Sequence, residues 1–172
     1  GKLGGRELTF TSDLDLVFIY QNPRDIKESS GPKQLAASHY YARLSQSFIT
    51  SITAMTGEGR LYEVDMRLRP SGNAGPIAVS FEAFSQYQEN EAWTWEHLAL
   101  TRARICAGDQ ELAHNVETEI QKILTTRHDP QKLLVDAAEM RQRLRNEFGT
   151  SDPWEVKHSP GGLIDIEFIC QY

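Results

Sequence analysis

Asp13 and Asp15 are the residues of this chain best placed to do chemistry. They lie in Ser12-Asp13-Leu14-Asp15-Leu16-Val17-Phe18-Ile19-Tyr20, the last part of a run from Leu8 that reads as a strand. Side chains alternate along a strand, so the two carboxylates face one way while Leu14, Leu16 and Phe18 face a core. Adjacent carboxylates repel each other and are tolerated in open water or around a divalent cation. Oxygen-only ligands of this kind suit Mg2+ or Mn2+. A third carboxylate, Asp65, lies in a second alternating stretch from Leu61 to Pro70. There Val64, Met66 and Leu68 form one face, and Asp65, Arg67 and Arg69 form the other. Were the two strands neighbours, three carboxylates would meet on one sheet face. Such a set can hold two metal ions against a nucleoside triphosphate and lower the pKa of an attacking hydroxyl. The plainer reading is solvated aspartates on edge strands, but aspartate is depleted in strands and three at aligned positions need a reason.

Phosphate chemistry has candidates of its own. Gly4 and Gly5 form a turn that lets backbone N–H groups approach a triphosphate, to which Ser12 could also donate. In a regular strand Ser12 faces away from Asp13, so its role requires a bend, and a lone Gly-Gly is otherwise an ordinary turn. Arg67 and Arg69 can bind phosphate bidentately and offset charge on leaving pyrophosphate. The plain alternative for Arg67 is a salt bridge to Asp65, and the two are compatible. For Arg102 and Arg104 the simpler reading, basic residues suiting the dipole at a helix end, is favoured.

Other chemistry-bearing residues carry less. Trp93 and Trp95, beside Glu96 and His97, could stack on a base, but core positions are favoured. His97 has no partner at metal-ligand spacing, and His158 has no assigned role. Asp165 and Glu167 diverge on a helix, which Leu163, Ile166, Ile169 and Cys170 suit better than a strand. A structural role, orienting basic residues, is the reading for them.

The elements that would position these groups follow from periodicity and punctuation. Gln21 to Gly31, with Pro23, reads as a loop. Pro32 opens a helix with the stripe Tyr41, Leu44, Phe48, Ile52 and Met55, ended by Gly57 and Gly59. Pro70 to Pro76 is a turning loop, and Ile77 to Ser80 a short strand whose Ser80 caps a helix through Tyr87. A helix from about Trp93 follows. Asp109 caps one with the stripe Leu112, Val116, Ile120 and Ile123. Asp129-Pro130 opens another, lined by Leu133, Ala137, Leu144 and Phe148 and ended by Gly149. Trp154 to His158 reads as a strand, Pro160-Gly161-Gly162 as a turn, and Leu163 to Tyr172 as the opening of a helix.

The chain has 172 residues, 40% hydrophobic and 24% charged, in the range of a soluble globular protein. A net charge of −6 argues against a general nucleic-acid binder. No apolar run approaches the ~20 residues of a membrane span. Cys106 and Cys170 read as reduced core thiols of a cytoplasmic protein. The chain starts within a Gly-rich motif and stops in an apolar run, so it reads as an excerpt. The expected fold is α+β: a small mixed sheet with flanking helices over residues 1–108, then a helical region over 109–172, the start of a bundle cut off at Tyr172.

A glycine turn, Ser-Asp-x-Asp on a strand and a lone aspartate on a later strand resemble the nucleotidyltransferase superfamily that includes DNA polymerase beta. Four longer stretches narrow this. Gly1-Lys2-Leu3-Gly4-Gly5-Arg6-Glu7-Leu8, Ser12-Asp13-Leu14-Asp15-Leu16, Tyr62-Glu63-Val64-Asp65-Met66-Arg67-Leu68-Arg69-Pro70 and Gly161-Gly162-Leu163-Ile164-Asp165-Ile166-Glu167-Phe168 are similar to the glutamine synthetase adenylyltransferase family. The resemblance implies a much longer bifunctional protein with two homologous halves. One half adenylylates a tyrosine of glutamine synthetase from MgATP, and the other removes AMP by phosphorolysis. The resemblance also implies regulation of the full-length protein by PII-type nitrogen-signalling proteins. Asn90-Glu91-Ala92-Trp93-Thr94-Trp95-Glu96-His97 looks more like the C-terminal, adenylylating half. The resemblance further implies Asp13, Asp15 and Asp65 as metal ligands and Gly4, Gly5 and Ser12 near the triphosphate. On that reading Asp65 assists deprotonation of the tyrosine. The alternatives are the reverse, AMP-removing chemistry and a non-catalytic nucleotide-binding module.

Overall fold

A computed structural model describes residues 1–22, 26–127, 129–152 and 154–172. Pro23, within the expected loop, lies outside the described residues. Among the described residues the architecture is α+β, six α-helices with short strand pairs, in two compact units.

The first unit holds Gly1–Ala92 and Arg102–Ile123. Strand β1 (Leu14–Asp15) pairs in parallel with β5 (Val64–Asp65), and β2 (Phe18–Tyr20) in parallel with β6 (Ala78–Ser80). One extended segment, 14–20, thus takes a different partner at each end. Helix α1 (Ala37–Thr53) packs on β6. Helix α2 (Phe81–Asn90) starts directly from β6, its N-cap Ser80 accepting from the Ala83 amide. Leu14, Ala78, Val79 and Phe84 are buried here, as are Val116, Ile120 and Ile123 of α4 (Gln110–Thr125). Asp109 caps α4 through the amides of Glu111 and Leu112.

Several expected boundaries move, each for a local reason. Helix α1 begins at Ala37 rather than Pro32 because Glu28 bridges Ala36 and Ser29 bonds Leu35 through both backbone and hydroxyl. The helix ends before Gly57 and Gly59. Those glycines instead serve the hairpin of β3 (Met55–Thr56) and β4 (Gly59–Arg60), whose Gly59 has φ of 99°. The α1 stripe is only partly covered, for Leu44 and Phe48 remain exposed, and Met55, expected to continue it, lies exposed in β3. The first strand does not run from Leu8, because the Ser12 amide donates to the Thr9 carbonyl and closes a turn. The 61–70 stretch is strand only at Val64–Asp65. Beyond it the Arg67 amide turns back onto the Asp65 carboxylate, and the Arg69 amide onto the Met66 carbonyl.

The second unit holds Trp93–Thr101 and Leu124–Tyr172. Helices α3 (Thr94–Leu100) and α6 (Leu163–Gln171) each pack on α5 (Pro130–Phe148). Asp129 caps α5 with Pro130 in its first turn, and the Thr94 hydroxyl donates to Asp136. The Asp165 carboxylate accepts from Arg141 Nε at 2.5 Å and from the Gly161 amide at 2.8 Å, joining α6 to α5 and the preceding turn. Residues 154–158 form turns instead of the expected strand, because the Lys157 and His158 amides fold back onto Glu155. Trp93, expected in the core, is 68% exposed. Cys106 and Cys170 are likewise exposed rather than buried. Among the described residues no helix is long and apolar enough to cross a membrane.

Candidate active site

The parallel register sets Leu14 opposite Val64 and Asp15 opposite Asp65. Adjacent residues in register share a face, so Leu14 goes to the core and Asp15 stands beside Asp65. Asp13, two residues before Asp15, joins them. One carboxylate oxygen from each of Asp13, Asp15 and Asp65 lies within 4.8 Å of the others. Asp13 is exposed, while Asp15 and Asp65 are half-buried.

Countercharge is unevenly shared among the three. Burial, reinforced by the charges of Asp13 and Asp65, pushes the Asp15 carboxyl above its ordinary value. Asp65 moves the other way. Arg67 grips it through Nε, at 3.0 and 2.8 Å from the two carboxylate oxygens, and through Nη2. Those hydrogen bonds hold the Asp65 carboxyl below its ordinary value. The donor set, three converging carboxylates, fits a hard divalent cation.

The glycine turn abuts this cluster. A Cβ on Gly1 would sit 1.7 Å from Asp15 Oδ2. The turn closes through Gly5 N–H to the Gly1 carbonyl, Arg6 N–H to Leu3 and Glu7 N–H to Lys2, and Arg6 adopts φ of 59°. Left-handed backbone at a residue other than glycine is uncommon and marks a constrained turn.

The remaining sequence candidates divide. Ser12 is buried and its hydroxyl lies 2.8 Å from that of Thr9, inside the 9–12 turn. Arg69 is buried, its Nε and Nη1 donating to the carbonyls of Gly75 and Met66, so it pins the 66–75 loop. Its charge is still felt at Asp65. Sequence reasoning misplaced Arg102 and Arg104. They follow α3 without belonging to it, and they reach the glycine turn: Arg102 to Glu7 at 3.2 Å, Arg104 to the carbonyls of Leu3 at 2.9 Å and Gly4 at 3.3 Å. No local periodicity signals a contact across a hundred residues.

The family model described as glutamate-ammonia ligase adenylyltransferase matches residues 1–119. The chain belongs to the glutamate-ammonia ligase adenylyltransferase family. Relatives agree along its whole length. The bifunctional glutamine synthetase adenylyltransferase/adenylyl-removing enzyme of Brucella suis biovar 1 is 52% identical over 172 residues, all of this chain and 18% of that protein. The enzyme of the same name from Bradyrhizobium diazoefficiens is 49% identical over 172 residues, again all of this chain and 17% of the relative. That of Mesorhizobium japonicum is 51% identical over 171 residues, 99% of the chain and 17% of the relative. The chain therefore spans less than a fifth of the length of these adenylyltransferases.

Proposed function

We propose that this chain carries the nucleotidyltransferase site that moves AMP from ATP onto a tyrosine hydroxyl of glutamine synthetase, releasing pyrophosphate. The observation that carries the reading is the meeting of Asp13, Asp15 and Asp65 beside the glycine turn, in a chain of this family. Asp13, Asp15 and Asp65 would hold Mg2+ or Mn2+, whose Lewis acidity polarises phosphoryl oxygens and lowers the pKa of the attacking hydroxyl. The glycine turn would cradle the triphosphate through the backbone N–H groups it leaves unspent, that of Gly4 among them, while the Gly5 N–H closes the turn onto the Gly1 carbonyl. The tyrosyl oxygen bonds to the α-phosphorus as the bond to the bridging pyrophosphate oxygen breaks, and the phenolic proton passes toward Asp65. For that, Arg67 must release Asp65. Its side chain is 72% exposed, so the guanidinium is free to swing onto the phosphates, where its charge offsets that of the leaving group. Ser12 and Arg69 act nearby chiefly by shaping the two turns that flank the carboxylates.

The motif Asn90 to His97 supports the adenylylating half by resemblance. The relatives' names also include adenylyl removal, which makes phosphorolysis of AMP-tyrosine the second reading. Both are tested with the full-length protein. Labelled ATP and unmodified glutamine synthetase should yield AMP-tyrosine, and Asp65→Asn should reduce its formation by at least ~100-fold, the scale of losing an electrostatic transition-state contact. ADP formed from adenylylated glutamine synthetase and phosphate, lost with the same substitution, would transfer the assignment to the other half. We further propose that PII-type signalling proteins act on the full-length protein and that it works in the cytoplasm.

A further inference from the structure

The glycine turn is held from two sides. At Gly1 it abuts Asp15. At Gly4 it meets the backbone of the segment after α3, where a Cβ would sit 1.9 Å from the Arg102 carbonyl oxygen. That approach is backbone to backbone, so only glycine fits at position 4. The same segment then grips the turn with side chains. Arg104 donates from Nη2 to the Leu3 carbonyl and from Nε to the Gly4 carbonyl, and Arg102 pairs with Glu7.

Peptide geometry makes this grip directional. In a trans peptide the N–H points opposite to the preceding carbonyl. Fixing the Leu3 carbonyl toward Arg104 therefore aims the Gly4 N–H away from it. Among the described residues, the amides of Lys2, Leu3 and Gly4 donate to no protein acceptor, whereas those of Gly5, Arg6 and Glu7 are spent inside the turn. We propose that Arg104, aided by Arg102, is a positioning residue that holds these three amides in place for the phosphates of the bound nucleotide. It touches the turn rather than the reacting atoms. Arg104 also adds positive charge behind the carbonyls, which polarises the peptide units and strengthens their N–H groups as donors to an anion.

This proposal rests on the adenylyl-transfer reading, and its test separates the two. In the full-length protein, Arg104→Ala should raise KM for ATP about tenfold, the effect of one lost charge-assisted hydrogen bond. It should leave kcat at saturating ATP within about twofold. Arg104→Lys keeps a cation but not the planar fork that spans two carbonyls, so it should give an intermediate KM. If Arg104→Ala does not fold, the lysine variant is read alone by the same rule. An unchanged KM for ATP in a folded variant, or a fall in kcat with KM intact, overturns the proposal while the functional reading stands. Wild-type protein that binds ATP but transfers nothing sinks the functional reading instead. The role of Arg104 is then read from the dissociation constant for ATP, where an unchanged value overturns it.

Discussion

Arg67 and Arg69 stand two residues apart in one motif and are used differently. Arg67 lies open and grips Asp65, while Arg69 is buried and grips the carbonyls of Met66 and Gly75. Truncating Arg69 strands two carbonyls and a loop, so Arg69→Ala should cost ~2–3 kcal/mol of local stability, read as faster amide exchange across residues 66–79. Arg67→Ala should leave that exchange unchanged and reduce adenylyl transfer. The pH response follows from the two shifted carboxyls. A proton and a divalent cation compete for Asp15, whose value is raised above 3.8, so Mg2+-dependent ATP binding should weaken on acidification sooner than an ordinary carboxylate would dictate. The signs for stability are opposite. The contribution of Asp15 is present at low pH and fades as pH rises through its folded value. That of Asp65, whose value is lowered, is present above 3.8 and lost as pH falls. A titration of ATP affinity between about pH 4 and 7, with and without Mg2+, checks the first claim. At this scale the aspartates were legible because alternation alone puts Asp13 and Asp15 on one face. The destinations of Arg69, Arg102 and Arg104 were not, because each partner is a backbone carbonyl or a residue distant in sequence.

Elements closed by side-chain caps were the legible ones. Ser80, Asp109 and Asp129-Pro130 each start a helix where the cap residue stands. Pro32 failed as a start because tertiary bonds from Ser29 and Glu28 hold the next residues extended. The strands were overread because the same aspartates and serines that mark the site also bend the backbone beside it. In the second unit, α6 is tied to α5 chiefly by Asp165. Its carboxyl is held down to about 2 by the Arg141 hydrogen bonds first and the Gly161 amide second. The Asp165 side chain is 14% exposed and that of Arg141 37%, so solvent screens part of the interaction. Asp165→Asn should speed amide exchange across 163–171 roughly two- to fivefold at neutral pH. The difference from wild type should vanish as pH falls from near 3.8 toward 2, since a lowered carboxyl stabilises only while ionised.

At the scale of the molecule, the long motifs pointed to the family, and the cluster of Asp13, Asp15 and Asp65 lies within the first unit. Periodicity found α6 but not its exposure. Leu163, Ile166 and Ile169 are 54%, 53% and 75% exposed, and Trp154 is 87% exposed. Exposed apolar groups on this scale favour association. The 172-residue chain alone should self-associate, and Ile166→Lys with Ile169→Lys should shift it toward monomer in sedimentation.

The division into two units also has a spectroscopic side. All three tryptophans, Trp93, Trp95 and Trp154, belong to the second unit, while Tyr20, Tyr40, Tyr41, Tyr62 and Tyr87 belong to the first and Tyr172 alone of the tyrosines to the second. Within the first, the Tyr20 and Tyr41 rings stack at 4.5 Å. Light absorbed only by indole therefore reports one unit of this chain, and near-ultraviolet tyrosine dichroism reports chiefly the other. The unfolding of each unit can be followed in one sample without introducing a label.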